Sequence, residues 1–435
     1  MFQTLVSAFK QKDLRKKLFI VLGIILIYRL GCWIPIPGLN IEMFNSSVDS
    51  NSFLSLLSSV SGGALANGSL LALGVVPYIS ASIIIQLLTI AFPKLQQLSR
   101  SGEEGKKKIA WYTRIAALVF SVLQAVAIVV AFSQNGAINT DAFGAGTPDW
   151  IVPTIIVLVL IAGGMFTLWL GEKITDIGIG NGVSLLIFVG ILCSAGSAVL
   201  STFQGLATDI DKLWDILIFA ALLIVIFALI VFVDLSERKI PVQYAKQVRG
   251  RKMYGGQSTN IPIKVNSSGV LPIIFATAMV MFPQLLMSMF WPDSPAYIWY
   301  ATNLGAGTVW YFLANAVLIF FFTYFYSQIA FNPEEVSRSL QQNGGFIPGI
   351  RSGRQTTDYL SKISKRITFF GAMYLAVIFV VPTVAMSLIQ GGAASGSFLN
   401  AFSVTGLLIV VSVALEFDKQ LDAQMMMKSY RGFLK

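Results

Sequence analysis

The sequence has no histidine, only two cysteines and few charged residues. Histidine is the usual proton shuttle near neutral pH and a common metal ligand, so its absence argues against most metal-dependent or acid–base catalysis. Cys32 and Cys193 lie in different apolar segments, and we interpret both as small core residues rather than as a disulfide pair. Charged residues make up 12% of the 435 residues, whereas soluble domains carry about 25%. The composition therefore excludes an ordinary soluble protein.

Long apolar windows recur along the whole chain, of which 55% is apolar, and its mean hydropathy is +0.73. A membrane-spanning helix needs about 20 apolar residues, which these windows can supply. The first window follows the basic stretch FKQKDLRKK and has no small-residue cleavage site, which favours a retained span over a signal peptide. The pattern predicts an all-α polytopic membrane protein.

Ten transmembrane helices are predicted, with the N- and C-termini both cytoplasmic. In this orientation every lysine and arginine lies in a cytoplasmic segment, except Arg29 within the first span and Lys212 outside. One missed or added span would destroy this segregation of charge. The predicted spans are approximately residues 18–36, 70–92, 115–133, 151–171, 183–201, 213–234, 269–291, 309–331, 367–390 and 399–417.

Two halves of five spans would enter the membrane in opposite orientations, because five is an odd number. This is the topology of an inverted repeat. The halves have no convincing similarity in sequence, so topology alone supports the prediction. The predicted organisation is an N-terminal half (1–201), a C-terminal half (213–417) and a cytoplasmic tail (418–435).

Two predicted cytoplasmic loops, 235–268 and 332–366, are unusually long and basic. Loops of this length tend to be functional or disordered. Their aromatic and β-branched residues are interleaved with Gly-Gly and Asn-Gly-Gly, which predicts ordered hairpins. Membrane orientation and contact with anionic lipid would explain the charge but not the length. Docking of a cytoplasmic partner would explain both.

Ionisable groups are scarce at membrane depth, where they persist mainly for function. We expect Arg29 to reach the interface or to bond the carbonyls freed by Pro35 and Pro37. The GIGNG stretch (178–182) lacks the context of a phosphate loop and predicts a tight turn. We therefore expect neither an enzyme nor a bound cofactor or metal. An ion-coupled secondary transporter is the alternative that also fits inverted halves, but it requires ion-coordinating groups at mid-membrane.

Five longer motifs are distinctive: YRLGCWIPIPG (28–38), SGGAL…ALGVVPYISASIIIQLLT (61–89), WLGEKITDIGIGNGVSLLIF (169–188), QSTNIPIKVNSSGVLPIIF (257–275) and FNPEEV…NGGFIPGIR (331–351). In order and spacing they resemble the SecY family of bacterial protein-translocation channels, over about residues 10–430. The resemblance implies the pore-forming subunit of a translocase in the bacterial cytoplasmic membrane. Such a subunit conducts unfolded secretory polypeptides and releases apolar segments sideways into lipid.

In this family the second span is split, and a short half-helix, the plug, closes the outer funnel. The resemblance places the plug at about 53–67, where the SGG and NG breaks permit tight turns. Pro77 would fall in the first turns of the continuing helix, where a missing N–H matters little. The implied plug residues are Phe53, Leu54, Leu57, Gly62, Gly63 and Leu65.

The family's constriction is a ring of aliphatic side chains. Such a ring blocks ions when it is dry, yet it has no fixed charge to trap a passing chain. Positions 75 and 183 are valine where isoleucine is expected in relatives, which implies a slightly looser ring or compensation by neighbours. The implied ring is Val75, Ile79, Val183, Ile187, Ile274 and Ile409, and it contains two pairs with the i, i+4 spacing that can share a helix face.

The resemblance also implies a lateral gate between spans two and seven, through which segments that favour lipid would leave. The resemblance further implies the partners of the protein. They are SecE, which clamps the two halves, SecG, the SecA motor ATPase, the ribosome, the signal-sequence-bearing polypeptide and membrane lipids. The implied gate residues are Ser80, Ile83, Gln86, Leu87, Gln124, Thr277 and Phe282. The implied docking residues for SecA and the ribosome are Arg238, Lys246, Arg249, Arg251, Lys252 and Arg351.

Overall fold

A computed structural model of the protein describes residues 2–40, 58, 61–134, 136–139, 148–178, 180–206, 213–244, 247–249, 252–254, 258–267, 269, 271–291, 294–305, 308–389 and 404–432. The chain forms two compact units. The first comprises Met1–Leu213, Met281–Thr308 and Gly392–Lys435, and the second comprises Trp214–Val280 and Val309–Gly391.

Helices dominate the described residues. In segments this apolar, a helix allows each backbone polar group to be satisfied within the segment. The helices, in chain order, are α1 (Phe2–Lys10), α2 (Lys12–Gly31), α3 (Val76–Ala91), α4 (Pro93–Arg100), α5 (Glu103–Gln134), α6 (Ile151–Ile177), α7 (Gly182–Leu206), α8 (Leu213–Leu235), α9 (Leu271–Phe290), α10 (Pro295–Leu304), α11 (Val309–Ala330), α12 (Pro333–Gln342), α13 (Arg354–Ile389) and α14 (Val404–Gly432). The strands are β1 (Glu237–Tyr244), β2 (Gln247–Arg249), β3 (Lys252–Tyr254), β4 (Ser258–Lys264) and β5 (Gly345–Phe346).

A helix lies at each position predicted for a span, although α5, α13 and α14 extend well beyond their apolar stretches. α3 and α4 are bent by 108° around Phe92, and together they are long and apolar enough to count as one candidate span. Within the described residues, four further segments meet that criterion: Glu103–Val130, Ile151–Ile177, Val309–Gln342 and Arg354–Val381. The number of ten spans and the orientation of the termini stay predictions.

In the first unit, α3 packs against α5, α5 against α6 and α6 against α7. α14 lies against α7, α1 contacts α14, and α2 contacts both α6 and α7. Gly163 of α6 lies directly against the carbonyl of Leu70, where a Cβ atom would clash. This glycine therefore allows irregular main chain to approach the helix. The core of the unit includes Ile36, Leu65, Leu73, Ile128, Phe132, Ile156 and Leu160.

The two cysteines differ in environment. Cys32 is buried, as predicted for a core residue, but Cys193 is exposed and the prediction for it is wrong. Cys193 follows Leu192, which is also exposed, on α7. A uniformly apolar segment does not reveal from its sequence which face packs inward, because both faces carry the same residue types.

A small antiparallel sheet in the second unit has the strand order β4-β1-β5. Glu237–Gln243 of β1 pairs with β4 in continuous register, and β2 pairs with β3 within the same loop. Ile240 and Val242 of β1 are buried while the residues between and beside them are exposed, the two-residue period of a half-buried strand. The prediction of an ordered hairpin in 235–268 is confirmed.

The second long loop, 332–366, is not the predicted hairpin. It forms α12, the short strand β5 and the beginning of α13. Asn332 favours the helix because its Oδ1 accepts the Glu334 N–H at 3.1 Å, and Pro333 follows as the first helical residue. Both loops contribute to one core, and we call β1–β4, α12, β5 and the start of α13 the loop subdomain. Its buried core residues are Ile240, Val242, Ile263, Leu340, Ile347 and Leu360.

We expect Leu360→Ala to destabilise the loop subdomain by about 2–5 kcal/mol, because Leu360 is fully buried and its truncation leaves a cavity. Hydrogen exchange of the β1 and β4 amides measures this loss of protection. The neighbouring Tyr359, which is 38% exposed, provides the control: Tyr359→Ala should change stability by about 0.5 kcal/mol or less. Equal effects of the two substitutions would contradict the shared core.

Candidate functional site

An irregular stretch directly before α3 is the most unusual part of the first unit. Residues 61–75, which we call the turn segment, form consecutive turns without a continuous helix. Gly62, Gly63, Gly68 and Gly74 all have positive φ values, between 54° and 82°, which other residues rarely adopt. The predicted plug half-helix at 53–67 is therefore wrong for 61–67. Three of the predicted plug residues, Phe53, Leu54 and Leu57, lie outside the described residues.

The turn segment is nevertheless well packed. Ala64 and Leu65 are buried, and Leu65 belongs to the core of the first unit. The Ile36 N–H donates to the Gly68 carbonyl, and the Leu70 N–H donates to the Ile34 carbonyl, both at 2.9 Å. These bonds form an isolated β-bridge between residues 35 and 69. The segment is thus a specific structure in the interior of the unit.

Arg29 also binds the turn segment, but not in the way the sequence predicted. Its Nη1 donates to the Gly62 carbonyl at 3.2 Å, and its Nη2 donates to the carbonyls of Val189 and Gly190 on α7 at 2.7 and 3.2 Å. The acceptors are therefore not the carbonyls near Pro35 and Pro37. Sequence reasoning missed them because they lie 33, 160 and 161 residues away along the chain.

Five of the six predicted ring residues belong to the first unit. Val75, Val183, Ile187 and Ile409 are buried, whereas Ile79 is half-buried. The Ile79 N–H donates to the Val75 carbonyl at 3.0 Å, so this pair has helical spacing although Val75 precedes α3. α7 carries Val183 and Ile187 and packs against α14, which carries Ile409. The sixth residue, Ile274, is half-buried in the second unit. The ring as a whole stays a prediction.

The predicted gate residues lie on three helices. Ser80, Ile83, Gln86 and Leu87 are on α3 and Gln124 is on α5, which packs against α3, while Thr277 and Phe282 are on α9. The hydroxyls of Ser80 and Thr277 donate to carbonyls of their own helices, to Val76 at 3.2 Å and to Ile273 and Ile274 at 3.0 Å. Gln124 is buried, and its Oε1 has no hydrogen-bond partner among the described residues. The side chain of Phe282 lies outside the described residues.

Four of the six predicted docking residues are described, and these four belong to the loop subdomain. Arg238 and Arg351 are exposed, the first on β1 and the second between β5 and α13. Arg249 of β2 and Lys252 of β3 are partners in the strand register. The Thr356 hydroxyl donates to the Arg351 carbonyl at 2.9 Å, which fixes the main chain at Arg351 and leaves its side chain exposed. Lys246 and Arg251 lie outside the described residues.

The GIGNG stretch forms the tight turn that was predicted between α6 and α7. Gly178 and Gly180 have φ values of 81° and 118°, and the Asn181 Oδ1 accepts the Val183 N–H at 3.1 Å as a helix cap. A Cβ atom at Gly180 would lie 2.9 Å from Oε1 of Gln420, so the turn fits closely against α14. Neither this contact nor α10 was predicted from the sequence.

Solved structures with a similar fold are known. The chain matches a structure described for the SecY plug domain, which stabilises the closed state of the translocation channel and maintains a membrane seal; the TM-score is 0.60, with 19% identity and coverage of 94% of this chain and 91% of that one. It also matches Sec61 in a canine ribosome–channel complex from the endoplasmic reticulum, with a TM-score of 0.58, 18% identity and coverage of 93% and 91%. The fold is that of protein-translocation channels.

Sequence comparison defines the family. The SecY family model matches residues 69–417. The protein translocase subunit SecY of Streptomyces coelicolor is 42% identical over 445 residues, which cover 100% of both chains. The chain belongs to the SecY family. The alternative of a secondary transporter finds no support in these comparisons.

Proposed function

We propose that the chain is the central pore-forming subunit of a protein translocase, conducting unfolded secretory polypeptides across a membrane and releasing apolar segments into lipid. The turn segment is the observation that carries the proposal. It has no regular secondary structure, yet it lies buried against apolar helices through a small set of hydrogen bonds. A channel needs such a removable piece of chain, whereas a purely structural bundle does not. The translocase subunit from Streptomyces coelicolor, related over its full length, supports the same function.

The proposed topology is ten spans in the bacterial cytoplasmic membrane, with both termini in the cytoplasm. The helix positions and the segregation of lysine and arginine support it. The inverted halves, 1–201 and 213–417, are part of this proposal and rest on the odd number of spans in each half.

The proposed pore is passive and contains no catalytic residue, so its energy has to come from partners. Burial of Val75, Val183, Ile187 and Ile409 supports a dry constriction, which would exclude ions in the closed state. The proposed lateral gate uses α3 and α9, and the buried amide of Gln124 is a polar group beside α3 that a signal sequence could displace.

The proposed partners dock on the loop subdomain. They are the motor ATPase SecA and the ribosome, and the ribosome-bound canine channel of the same fold supports the second. Exposed cations such as Arg238 and Arg351 suit ribosomal RNA, because Lys and Arg gain affinity for phosphates by releasing counterions. SecE and SecG are the expected small subunits, and membrane lipids surround the assembly.

Conductance across a planar bilayer tests the proposed function. The protein should be nearly silent at rest and should conduct ions after a stalled secretory polypeptide is removed from the open pore. A transporter would instead show substrate-dependent flux without such single-channel openings. Silence under both conditions would contradict the channel.

Arg351→Glu should abolish partner-driven transport while membrane insertion and thermal stability stay near parental values. The side chain is exposed and its main chain is fixed by Thr356, so charge reversal removes a contact without disturbing the fold. Stimulation of the motor ATPase measures the effect. Arg338→Glu makes the same charge change on α12, where Arg338 forms an exposed ion pair with Glu334 at 3.9 Å, and it should retain stimulation. Loss of folding in Arg351→Glu, or equal losses in both variants, would contradict the assignment.

A further inference from the structure

Arg29 joins two parts of the first unit that are distant in sequence. One guanidinium group can do so because its planar fork carries five N–H donors, which a lysine ammonium cannot replace with the same geometry. The acceptors are the carbonyl of Gly62 in the turn segment and those of Val189 and Gly190 on α7. Arg29 itself is part of α2, so three elements meet at this side chain.

The main chain is unusually close at the same place. A Cβ atom on Gly62 would lie 2.7 Å from the Gly190 Cα and 2.8 Å from both Nη atoms of Arg29. Only a glycine at position 62 therefore allows the turn segment to lie against α7 with the guanidinium between them. The preceding residue is bonded to α2, the helix that carries Arg29, since the Tyr28 hydroxyl donates to the Ser61 carbonyl at 3.4 Å.

Two parts of the turn segment are attached by different means. At residues 68–70 the attachment is main chain to main chain, through the bridge with residues 34–36. At residues 61–62 the bonds to α2 come from two side chains, Tyr28 and Arg29. Side-chain bonds to carbonyls can be exchanged for bonds to water without unfolding a ladder, so the 61–62 end is the one able to detach.

We propose that Arg29 is the positioning residue that holds residues 61–67 against α7 in the closed channel, and that this end detaches while 68–70 stays on its bridge. The inference rests on the proposed channel function, and it identifies the side chain that holds the turn segment in place. Hydrogen bonds from a cation are strong where water is excluded. A polypeptide entering the pore brings water and its own carbonyl groups, which compete for the guanidinium. The hydrogen bonds of Arg29 therefore weaken when the pore is occupied.

Thiol labelling of the full-length protein in proteoliposomes tests the proposal, with a maleimide present on both sides of the membrane. The background carries Cys32→Ser and Cys193→Ser, and the reporter is Ala64→Cys, at a position that is fully buried in the turn segment. Ala125→Cys, fully buried on α5, is the control for general loosening of the unit. We expect Arg29→Met to raise the labelling rate at position 64 by about tenfold or more and to leave the rate at position 125 unchanged.

Gly62→Ala provides a second variant in which Arg29 is kept. Its Cβ would collide with Gly190 and the guanidinium, so labelling at position 64 should again rise by about tenfold. Gly63→Ala is the matched control: Gly63 also has a positive φ, of 82°, but a Cβ there meets nothing within 4 Å. It should raise labelling by less than Gly62→Ala does, because both alanines carry the strain of a positive φ but only the one at position 62 adds a collision. Equal rises in the two alanine variants, or no rise with Arg29→Met, would overturn the proposal, as would rises at positions 64 and 125 together.

Ion conductance of the same variants separates this proposal from the proposed function. Faster labelling at position 64 together with a leak supports both. Faster labelling without a leak would uphold the fastening by Arg29 and contradict the role of the segment as a seal. A leak without faster labelling would overturn the fastening and leave the channel function standing.

Discussion

Deleting residues 55–66 is expected to produce a folded protein that leaks small ions across a planar bilayer. The deletion removes Ala64 and Leu65, which are buried in the interior of the first unit. It ends before the bridge at residues 68–70 and before α3, so the surrounding helices keep their attachments. The measurement is the resting conductance of the variant relative to that of the parent protein.

A same-length variant, in which glycine and serine replace residues 55–66, is the control for the change in chain length. It should also leak, because flexible polar residues do not reproduce the packing of Leu65. A leak in the deletion alone would show that chain length rather than packing forms the seal. An unchanged resting current in both variants would contradict the sealing role of this segment.

Ile409→Asn should increase the resting ion leak and relax the requirement for a good signal sequence. Ile409 is buried on α14, which packs against the helix of Val183 and Ile187. An amide without hydrogen bonds at this place costs about 1–3 kcal/mol, and the cost applies mainly to the dry, closed state. Water in the open pore satisfies the amide, so the equilibrium shifts toward opening. The measurements are conductance and export of a reporter with a defective signal sequence.

Val410→Asn is the matched control, because Val410 is half-buried and lies about 100° further around the same helix. It should lose stability without a new leak. A binding site of a transporter at Ile409 would instead lose substrate affinity and show no leak. Parental values in both assays, with reduced stability, would place Ile409 outside the pore and discredit the proposed ring.

Hydropathy located the helices but not their ends. The span predicted at 367–390 ends close to the observed end of α13 at Ile389. The helix begins much earlier, however, at Arg354. Its first turns carry lysine and arginine, which a hydropathy window rejects although they are good helix formers, and the same turns contain the buried Leu360. A window that measures transfer into lipid does not detect the part of a helix that carries polar residues.

The site was predictable only where it depends on local chemistry. Glycine spacing predicted the turns at 61–63 and 178–180, because a positive φ is a property of a single residue. The acceptors of Arg29 and the pairing of β5 with β1 join positions far apart in the chain. Among interchangeable carbonyls, nothing in the sequence marks which one a distant arginine will meet. The same limit applied to Cys193, whose exposure depends on the orientation of α7.

The common core of the two long loops has a mechanical consequence. β1 directly follows α8, β4 leads into α9, α12 follows α11, and β5 precedes α13. The sheet and its core residues therefore connect the ends of these four helices through one folded unit, the loop subdomain. A force applied at a single exposed point, such as Arg351, would be distributed over all four helix ends. The load would then displace the helices together, whereas two separate flexible loops would absorb it as bending.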